Sequence, residues 1–382
     1  MIYLGVPYGS NFGWGVLGKE IAFAMARSTD VRVIAPPDID QRLDDEFERY
    51  HLRRLLVSPS DVSSANVPLI QAAIGRTLDP FVPGLPPAAV GYAVFEEDRL
   101  LPEAVAQARR NYRHLVAASG YCANVLRQHG LTEVSVLPHG VDTTRFTPRT
   151  EPRTFLQDRF VIFSGGKFEL RKGQDIVIRA YKVLQDRHKD VMLVHSWHNV
   201  WPKTRDTMAA SPHIRYFPPR DDDYHAWISA LLASHGIDLD RVIPVGPRNH
   251  RLLPDLYHAT DLGIFPNRAE GGNNMVLMEY LACGKPALAS YNTGHKDILR
   301  RSNAVLIESH RPIEFRPYGE LLATWHDPSL DETIAKLEWC YQNRGRLQSI
   351  AKQAAVDMRA FSWTRLADGL LGIAKEGVPA EA

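Results

Sequence analysis

Cysteine is scarce in this chain of 382 residues. Cys122, Cys283 and Cys340 are odd in number and widely spaced, which excludes a disulfide framework and a cysteine-built zinc cluster and fits a reducing compartment. No apolar run approaches the roughly 20 residues a membrane-spanning helix needs, so membrane insertion is not expected. The chain opens directly on a strand pattern, with no basic leader or cleavage site, and the expected location is the cytoplasm. An excess of one charge is also missing: the formal net charge is +1, which argues against a nucleic-acid partner. Repeats are absent, and low complexity is confined to a short Pro/Ala/Glu tail at 377–382. What remains is 45% apolar and 23% charged, a chain able to bury large cores and to form two domains.

One stretch organises the rest, 261–299: DLGIFPNRAEGGNNMVLMEYLACGKPALASYNTGHKDIL. It opens with an apolar run, 262–265, that reads as a buried parallel strand. A loop follows with Pro266, Asn267, Glu270, Gly271 and Gly272. A helix is predicted over 273–282, stopped by Gly284 and Pro286, with a further strand at 287–290. This is a βαβ unit whose helix N-terminus offers unpaired N–H groups and a positive dipole end to an anion. Glu270 and Glu279 bracket that site. With a phosphate held by backbone, the two carboxylates are left to accept hydrogen bonds from hydroxyls, a combination that suits a sugar nucleotide.

Elsewhere the pattern alternates strand and helix. A strand at 2–6 precedes a helix at 16–27 with an apolar stripe of Leu17, Ile21, Ala24 and Met25. Between them Gly13, Gly15 and Gly18 spell G-x-G-x-x-G, and Asp38 beyond the strand 31–35 could serve as a ribose acid, so a dinucleotide site is one reading. A flexible loop approaching a donor phosphate or an acceptor, or a plain strand-to-helix turn, are the others. The segment 40–54 reads as a charged helix. Strands at 90–95, 114–118 and 134–137 follow, with Glu96, Glu97 and Asp98 leading a helix at 102–112. After a linker at 147–156, the strand 160–164 runs into GGKFELRKG. Lys167 and Lys172 there could neutralise a diphosphate without a metal. A strand at 191–194 leads to His195, Trp197, His198 and Trp201. They lack the further ligands a metal needs and read either as packing residues or as an aromatic contact. The acidic runs at 221–223, at Asp38/Asp40 and at Asp238/Asp240 read as charged segments and helix caps. The strand 242–245 carries Pro247 and Arg248 after it, and helices are predicted at 331–342 and, continuously, from 344 to 374.

The stretch around Glu270 and Glu279 resembles the donor-site signature of retaining glycosyltransferase family 4, whose fold is GT-B. There a Glu before a Gly-rich turn and a second Glu on the following helix flank the nucleotide sugar. The spacing here is one residue longer than usual and resembles the E-G-G-x-N form of some branches, among them relatives that glycosylate aminocyclitol antibiotics. Gly166, Lys167 and Phe168, then Lys172 and Gly173, resemble the G-R-L-x-x-x-K-G block, with Lys for Arg keeping the charge but losing the bidentate fork. Pro138, Gly140, Val141, Asp142, Phe146 and Pro148 resemble the N-G-V-D-x-x-x-F-x-P block that closes the first domain.

The resemblance implies an α/β fold, GT-B, with two Rossmann-like parallel-sheet domains facing a deep cleft. These would be an acceptor-side domain at 1–148, a linker at 149–156, a nucleotide-sugar domain at 157–360 and a C-terminal helix at 361–382 returning to the first domain. It also implies retaining transfer of a hexosyl or amino-hexosyl group from a nucleoside-diphosphate sugar, UDP-sugar favoured. The acceptor would be a hydroxyl of a small soluble molecule, with an aminocyclitol or aminoglycoside intermediate as the specific class. Lys167 and Lys172 would stabilise the leaving diphosphate, Glu270 would hold a sugar hydroxyl and Glu279 the ribose. Gly271, Gly272, Asn273, Asn274 and Met275 would complete the cradle, with Gly13, Gly15 and Gly166 approaching the donor and Pro247 and Arg248 at the base. Glu96 would contact the acceptor or remove its proton; the other reading of Glu96 is an acid favouring the dipole of the 102–112 helix. No metal and no cofactor are expected. Two rival functions are an NAD-dependent oxidoreductase and a nucleotide-sugar-binding protein that does not catalyse transfer.

Overall fold

The computed structural model describes residues 1–34, 43, 45–62, 67–219 and 223–376. Asp38, Asp40, Asp221 and Asp222 therefore lie outside the described residues, as does the 377–382 tail. The chain forms two compact units. One comprises Met1–Asp142, Gly271–Met275 and Phe361–Ala382, and the other Thr143–Glu270 and Val276–Ala360.

In the first unit the strands are β1 (Ile2–Gly5), β2 (Val31–Ile34), β3 (Leu56–Val57), β4 (Leu69–Ile74), β5 (Asp79–Pro80), β6 (Ala88–Val94), β7 (Tyr112–Ala117) and β8 (Val134–Val136). They lie in the order β3-β2-β1-β4-β6-β7-β8, parallel throughout, with β5 antiparallel on β4. Successive side chains point to opposite faces, and both faces are covered, which is why these strands read as continuous apolar runs. Leu4, Ile70, Val90 and Val116 pack with the helices Gly13–Met25 and Trp363–Lys375. Tyr3, Leu69, Ala93 and Leu115, from the same four strands, pack with Pro102–Asn111 and Gly120–Gln128 on the other side.

Three local expectations are corrected here. The first helix begins at Gly13, so Gly13, Gly15 and Gly18 are helical and form neither a flexible loop nor the strand-to-helix turn. A Cβ on Gly15 would stand 2.6 Å from Gly9 N, and one on Gly18 only 1.9 Å from Pro7 O; these two glycines let the helix lie against the turn that precedes it. The charged helix spans Glu46–Arg53, entered by Asp45, whose side chain accepts from Glu48 N. The C-terminal helix is two helices, Arg344–Met358 and Trp363–Lys375. The chain breaks where Phe361 O accepts from Val141 N and Ser362 caps the second helix through Arg365 N, as a short hydroxyl side chain favours.

The second unit carries β9 (Phe160–Gly166), β10 (Val191–Trp197), β11 (Val242–Pro244), β12 (Leu262–Phe265), β13 (Ala287–Ser290) and β14 (Val305–Ile307). Their order is β11-β10-β9-β12-β13-β14, all parallel. The order reverses between β9 and β12, and in such doubly wound sheets the ligand crevice opens beyond the strand ends at that switch point. A hairpin of β15 (His310–Phe315) and β16 (Ala323–Pro328) stands apart from the sheet. The 149–156 segment is tied down within this unit by Arg149 to Asp255 and by Arg153 to Asp261 at 2.7 Å.

Replacing Gly18 by alanine should destabilise the first unit by about 1–3 kcal/mol, the range for forcing an extra carbon into a packed site. Urea unfolding measures it, and an unchanged midpoint would show that Pro7 moves aside freely.

Candidate functional site

The loops that leave β9 and β12 at the switch point are fixed to one another through a fully buried side chain, Arg268. It has no exposed surface. Its Nη1 and Nη2 donate to the two oxygens of Asp175 at 2.8 and 2.7 Å, and its Nε donates to Asp327 Oδ1 at 2.8 Å. Nη1 also donates to the Leu170 carbonyl. Burial alone would raise the pKa of Asp175, but the Arg268 guanidinium overcomes it and holds that carboxyl low. Arg268 N donates to Arg171 O at 2.7 Å, and His326 N to Arg268 O at 3.1 Å. Asp175 begins the helix Gln174–Arg187 and Asp327 sits on β16, so three elements meet at one guanidinium. Leu170 and Ala269 pack with Ala323 and Trp325 of the hairpin beside it.

On this frame stands a row of five charged side chains. Lys167 pairs with Glu169 at 3.3 Å, and Arg171 reaches both Glu169 (2.8 Å) and Glu270 (3.1 Å). Lys172 donates to Glu270 Oε1 at 2.7 Å. Three cations face two carboxylates, which leaves one positive charge over. Gly166, with φ +112°, ends β9 in the left-handed region and turns the chain into this row. Burial pushes the Glu270 carboxyl up, yet Lys172, Arg171 and His295 together outweigh it and hold the pKa at about 2. Lys172 is shifted down by burial and by Arg171, against the pull of Glu270. Asn267 Nδ2 also donates to Glu270, while Glu270 N donates to Thr293 Oγ1 at 2.8 Å.

Glu279 lies in the helix Met275–Ala282 and is equally engaged. Its Oε1 meets His250 Nε2 at 2.6 Å and its Oε2 accepts from Tyr257 OH at 3.1 Å. Arg145 Nη1 lies 3.2 Å from His250 Nδ1. An arginine can only donate, so Nδ1 accepts and the imidazole proton sits on Nε2, facing Glu279. Neither carboxylate therefore stands unengaged, as the sequence had led us to expect; each is positioned by protein donors and keeps only its remaining lone pairs for a ligand.

The helix after the glycine-rich loop starts at Met275, two residues later than the pattern indicated. Asn274 takes φ 59° just before it, a left-handed turn that Asn tolerates. Gly271, Gly272, Asn273, Asn274 and Met275 belong to the first unit. Ser119 Oγ donates to Gly271 O at 2.6 Å, and His139 N to Asn273 Oδ1 at 3.0 Å. A Cβ on Gly271 would fall 2.2 Å from Phe95 O, and one on Gly272 would fall 2.1 Å from the His139 ring. These glycines are required by close approach. Gly13 also faces this segment, the Met275 methyl lying 3.3 Å from where its Cβ would be.

Glu96 follows β6, half-buried; its carbonyl accepts from Tyr121 OH at 3.0 Å and its N–H donates to Glu97. Glu103 occupies the first turn of the Pro102–Asn111 helix, where an acid favours the helix dipole. Pro247 and Arg248 are exposed in the turn after β11. Asp223 caps the helix Tyr224–Ser234, and Asp238 caps a short turn through Asp240 N. His195 and Trp197 are buried on β10, whereas Trp201 is half exposed beside Lys167. Among the described residues no group of three or more His, Cys, Asp or Glu could hold a metal, and no helix is long and apolar enough to cross a membrane. Sequence reasoning passed over Arg171, Arg268, His250 and Tyr257; the paired cations in L-R-K-G were the one local signal.

Residues 148–318 match the family model for glycosyl transferases group 1. A D-inositol 3-phosphate glycosyltransferase of Xylanimonas cellulosilytica is 26% identical over 265 residues, covering 65% of this chain and 53% of that relative. One from Catenulispora acidiphila is 26% identical over 332 residues, covering 82% and 68%. The chain spans about half the length of several such relatives. Among solved structures, a sucrose-phosphate synthase from Thermosynechococcus elongatus superimposes with a TM-score of 0.65 at 14% identity, covering 98% of each chain. HepE from Anabaena, in complex with UDP and glucose, gives 0.60 at 15% identity over 97% of this chain and 98% of that one. The fold is GT-B, and residues 148–318 carry the match to the glycosyl transferases group 1 domain.

Replacing Arg268 by alanine leaves the buried Asp175 carboxylate with the Ser211 hydroxyl but without its cation and should cost about 3–5 kcal/mol in urea unfolding. A loss below 1 kcal/mol would contradict its place in the frame. Acid acts through Glu270: its folded pKa of about 2 lies below the ordinary 4.5. The stability it contributes is therefore complete above pH 4.5 and lost as pH falls towards 2. Glu270→Gln should flatten that part of the stability-versus-pH curve, and an unchanged slope would remove Glu270 from the account.

Proposed function

We propose that this protein is a retaining glycosyltransferase that moves a hexosyl or amino-hexosyl group from a UDP-sugar to a hydroxyl of a small acceptor. The observation that carries the reading is the cation-rich row at the β9/β12 switch point, with Glu270 fixed in its midst. Lys172 and Lys167 would meet the diphosphate, and Arg171 would hold Glu270 so that its spare lone pairs accept a hydroxyl of the donor sugar. Glu279, oriented by His250 and Tyr257, would take the ribose. The positive excess would stabilise charge developing on the leaving diphosphate. A UDP donor is supported by the UDP complexes of structural neighbours such as HepE. The nearby curated relatives carry the name of an inositol-phosphate glycosyltransferase, which supports a cyclitol acceptor. An aminocyclitol is the finer form of that proposal, with Glu96 to Asp98 offering acid groups to a cationic ring. No metal is assigned a part in it, and the three buried free cysteines suit action in the cytoplasm.

A thermal-shift panel of UDP, GDP, dTDP and ADP, followed by mass spectrometry of products with the best donor, tests the reading. UDP should give the largest shift. Lys172→Ala should lower transfer by about 30- to 1,000-fold, equivalent to about 2–4 kcal/mol. Transfer within twofold of wild type would sink the assigned role, and aminocyclitols that are never glycosylated while neutral cyclitols are would remove the finer acceptor.

A further inference from the structure

Glu270 is held by a turn whose backbone is out of keeping with its sequence. Thr293, after β13, takes φ 38°, in the left-handed region that side chains branched at Cβ avoid. Among the described residues the other non-glycines with positive φ are Leu78, Leu156 and Asn274, and none of these is branched at Cβ. A glycine stands next in the chain, yet Gly294 has φ −65° and ψ −17°, ordinary helical values open to any residue. The permissive residue therefore sits one position past the place that needs it. Such backbone persists only where its surroundings impose it, and it gathers at functional sites.

What a threonine supplies at this position is its hydroxyl. Thr293 is buried; its Oγ1 accepts from Glu270 N at 2.8 Å and donates to Asn292 Oδ1 at 3.0 Å, so the hydroxyl works both as acceptor and as donor. The next residue secures the other backbone group: Gly294 N donates to Glu270 O at 3.0 Å. Both backbone polar groups of Glu270 thus end on one turn. That turn is anchored in its own right. Asn292 Nδ2 and Ser290 Oγ donate to Asn267 O at 2.9 and 2.6 Å, and His295 Nδ1 meets Ser290 O at 2.9 Å. Asn292, Ser290 and His295 are all buried. A glycine at 293 would adopt the turn without strain, but the Glu270 N–H would lose its acceptor.

We infer that Thr293 is a positioning residue: its hydroxyl, kept in a strained left-handed turn, sets the backbone of Glu270 so that the carboxylate stands between Arg171 and Lys172 and meets the donor sugar. The meeting with the sugar rests on the donor reading above; the placement of the carboxylate does not. The strain is what it takes to keep a hydroxyl where the backbone favours glycine. UDP without a sugar does not reach Glu270, so its binding does not depend on the turn.

Three substitutions separate hydroxyl from strain. Thr293→Ser keeps the hydroxyl, Thr293→Val keeps the branched shape without it, and Thr293→Gly removes hydroxyl and strain together. The Glu270 carboxyl carbon, followed by ¹³C NMR from pH 7 to pH 3, reads its placement with no ligand present. Burial raises its pKa, but Lys172, Arg171 and His295 outweigh that and hold it at about 2, so in wild type and Thr293→Ser it should stay largely ionised. In Thr293→Val and Thr293→Gly it should titrate nearer the ordinary 4.5, because a carboxylate moved off its cations protonates more readily. An unchanged titration in both would overturn the assignment. With UDP-glucose as the probe, cleavage by Thr293→Val and Thr293→Gly should show kcat about 10- to 100-fold lower, and Thr293→Ser should restore most of it. UDP affinity should stay within twofold throughout. Loss of UDP affinity in step with kcat, or wild-type kcat in Thr293→Gly, would overturn it as well. In urea Thr293→Gly should unfold at a higher midpoint than Thr293→Val; the reverse order would show that position 293 stores no strain. Wild-type protein that neither binds UDP nor cleaves UDP-glucose would bring down the donor reading, while the titration would still decide the place of Thr293.

Discussion

The second unit depends on a charge taken fully out of water. Arg268 spends its guanidinium on Asp175, Asp327 and the Leu170 carbonyl, and these partners come from a helix, a hairpin strand and a loop. A buried cation of this kind is tolerable only while every partner is in place. The requirement is geometric as well as energetic, because a planar fork matched to a carboxylate leaves little angular freedom. The backbone of the β12 loop is therefore fixed against the loop after β9. The side chains on either side of Arg268 inherit that register: Glu270 two residues on, and Arg171 and Lys172 across from it.

The chemistry is laid over this frame in a consistent order. The reversal of strand order places the crevice beyond β9 and β12. Gly166 and Gly173, both left-handed, bend the chain so that Lys167, Arg171 and Lys172 project from one short loop. Two acids interleave with the three cations and keep them apart, which limits self-repulsion while leaving a positive remainder for an anion. His250 and Tyr257 do for Glu279 what Arg171 and Asn267 do for Glu270. In both places the carboxylate is oriented before any ligand arrives, so little reorganisation remains to be done when one binds.

Much of this was legible from residue type and spacing. The parallel strands declared themselves as short apolar runs, and Lys167, Lys172, Glu270 and Glu279 stood out because they flank strand-to-helix turns and resemble a known donor-site signature. What stayed hidden was long-range. Arg268 lies 59 positions from Asp327 and 93 from Asp175, and no local pattern announces a partner so far away. The β15–β16 hairpin was missed because Pro312 interrupts its first strand. β4 was missed because Gln71 breaks its apolar run; that amide is buried and accepts from Val82 N at 2.7 Å. The glycines were noticed but explained differently: Gly18, Gly271 and Gly272 are required by what touches them, which only coordinates reveal. The late start of the Met275–Ala282 helix has the same origin, since Asn273 is held by His139 before the helix can begin.

The central claim is that the loop from Lys167 to Lys172, set in register by Arg268, grips a diphosphate beside Glu270. A crystal structure of the protein with UDP tests it most directly. The account predicts both phosphates at the carboxyl ends of β9 and β12, within hydrogen-bonding distance of Lys172 and with Glu270 still held by Arg171. Phosphates bound elsewhere, with the Lys172–Glu270 pair undisturbed and remote from them, would contradict it.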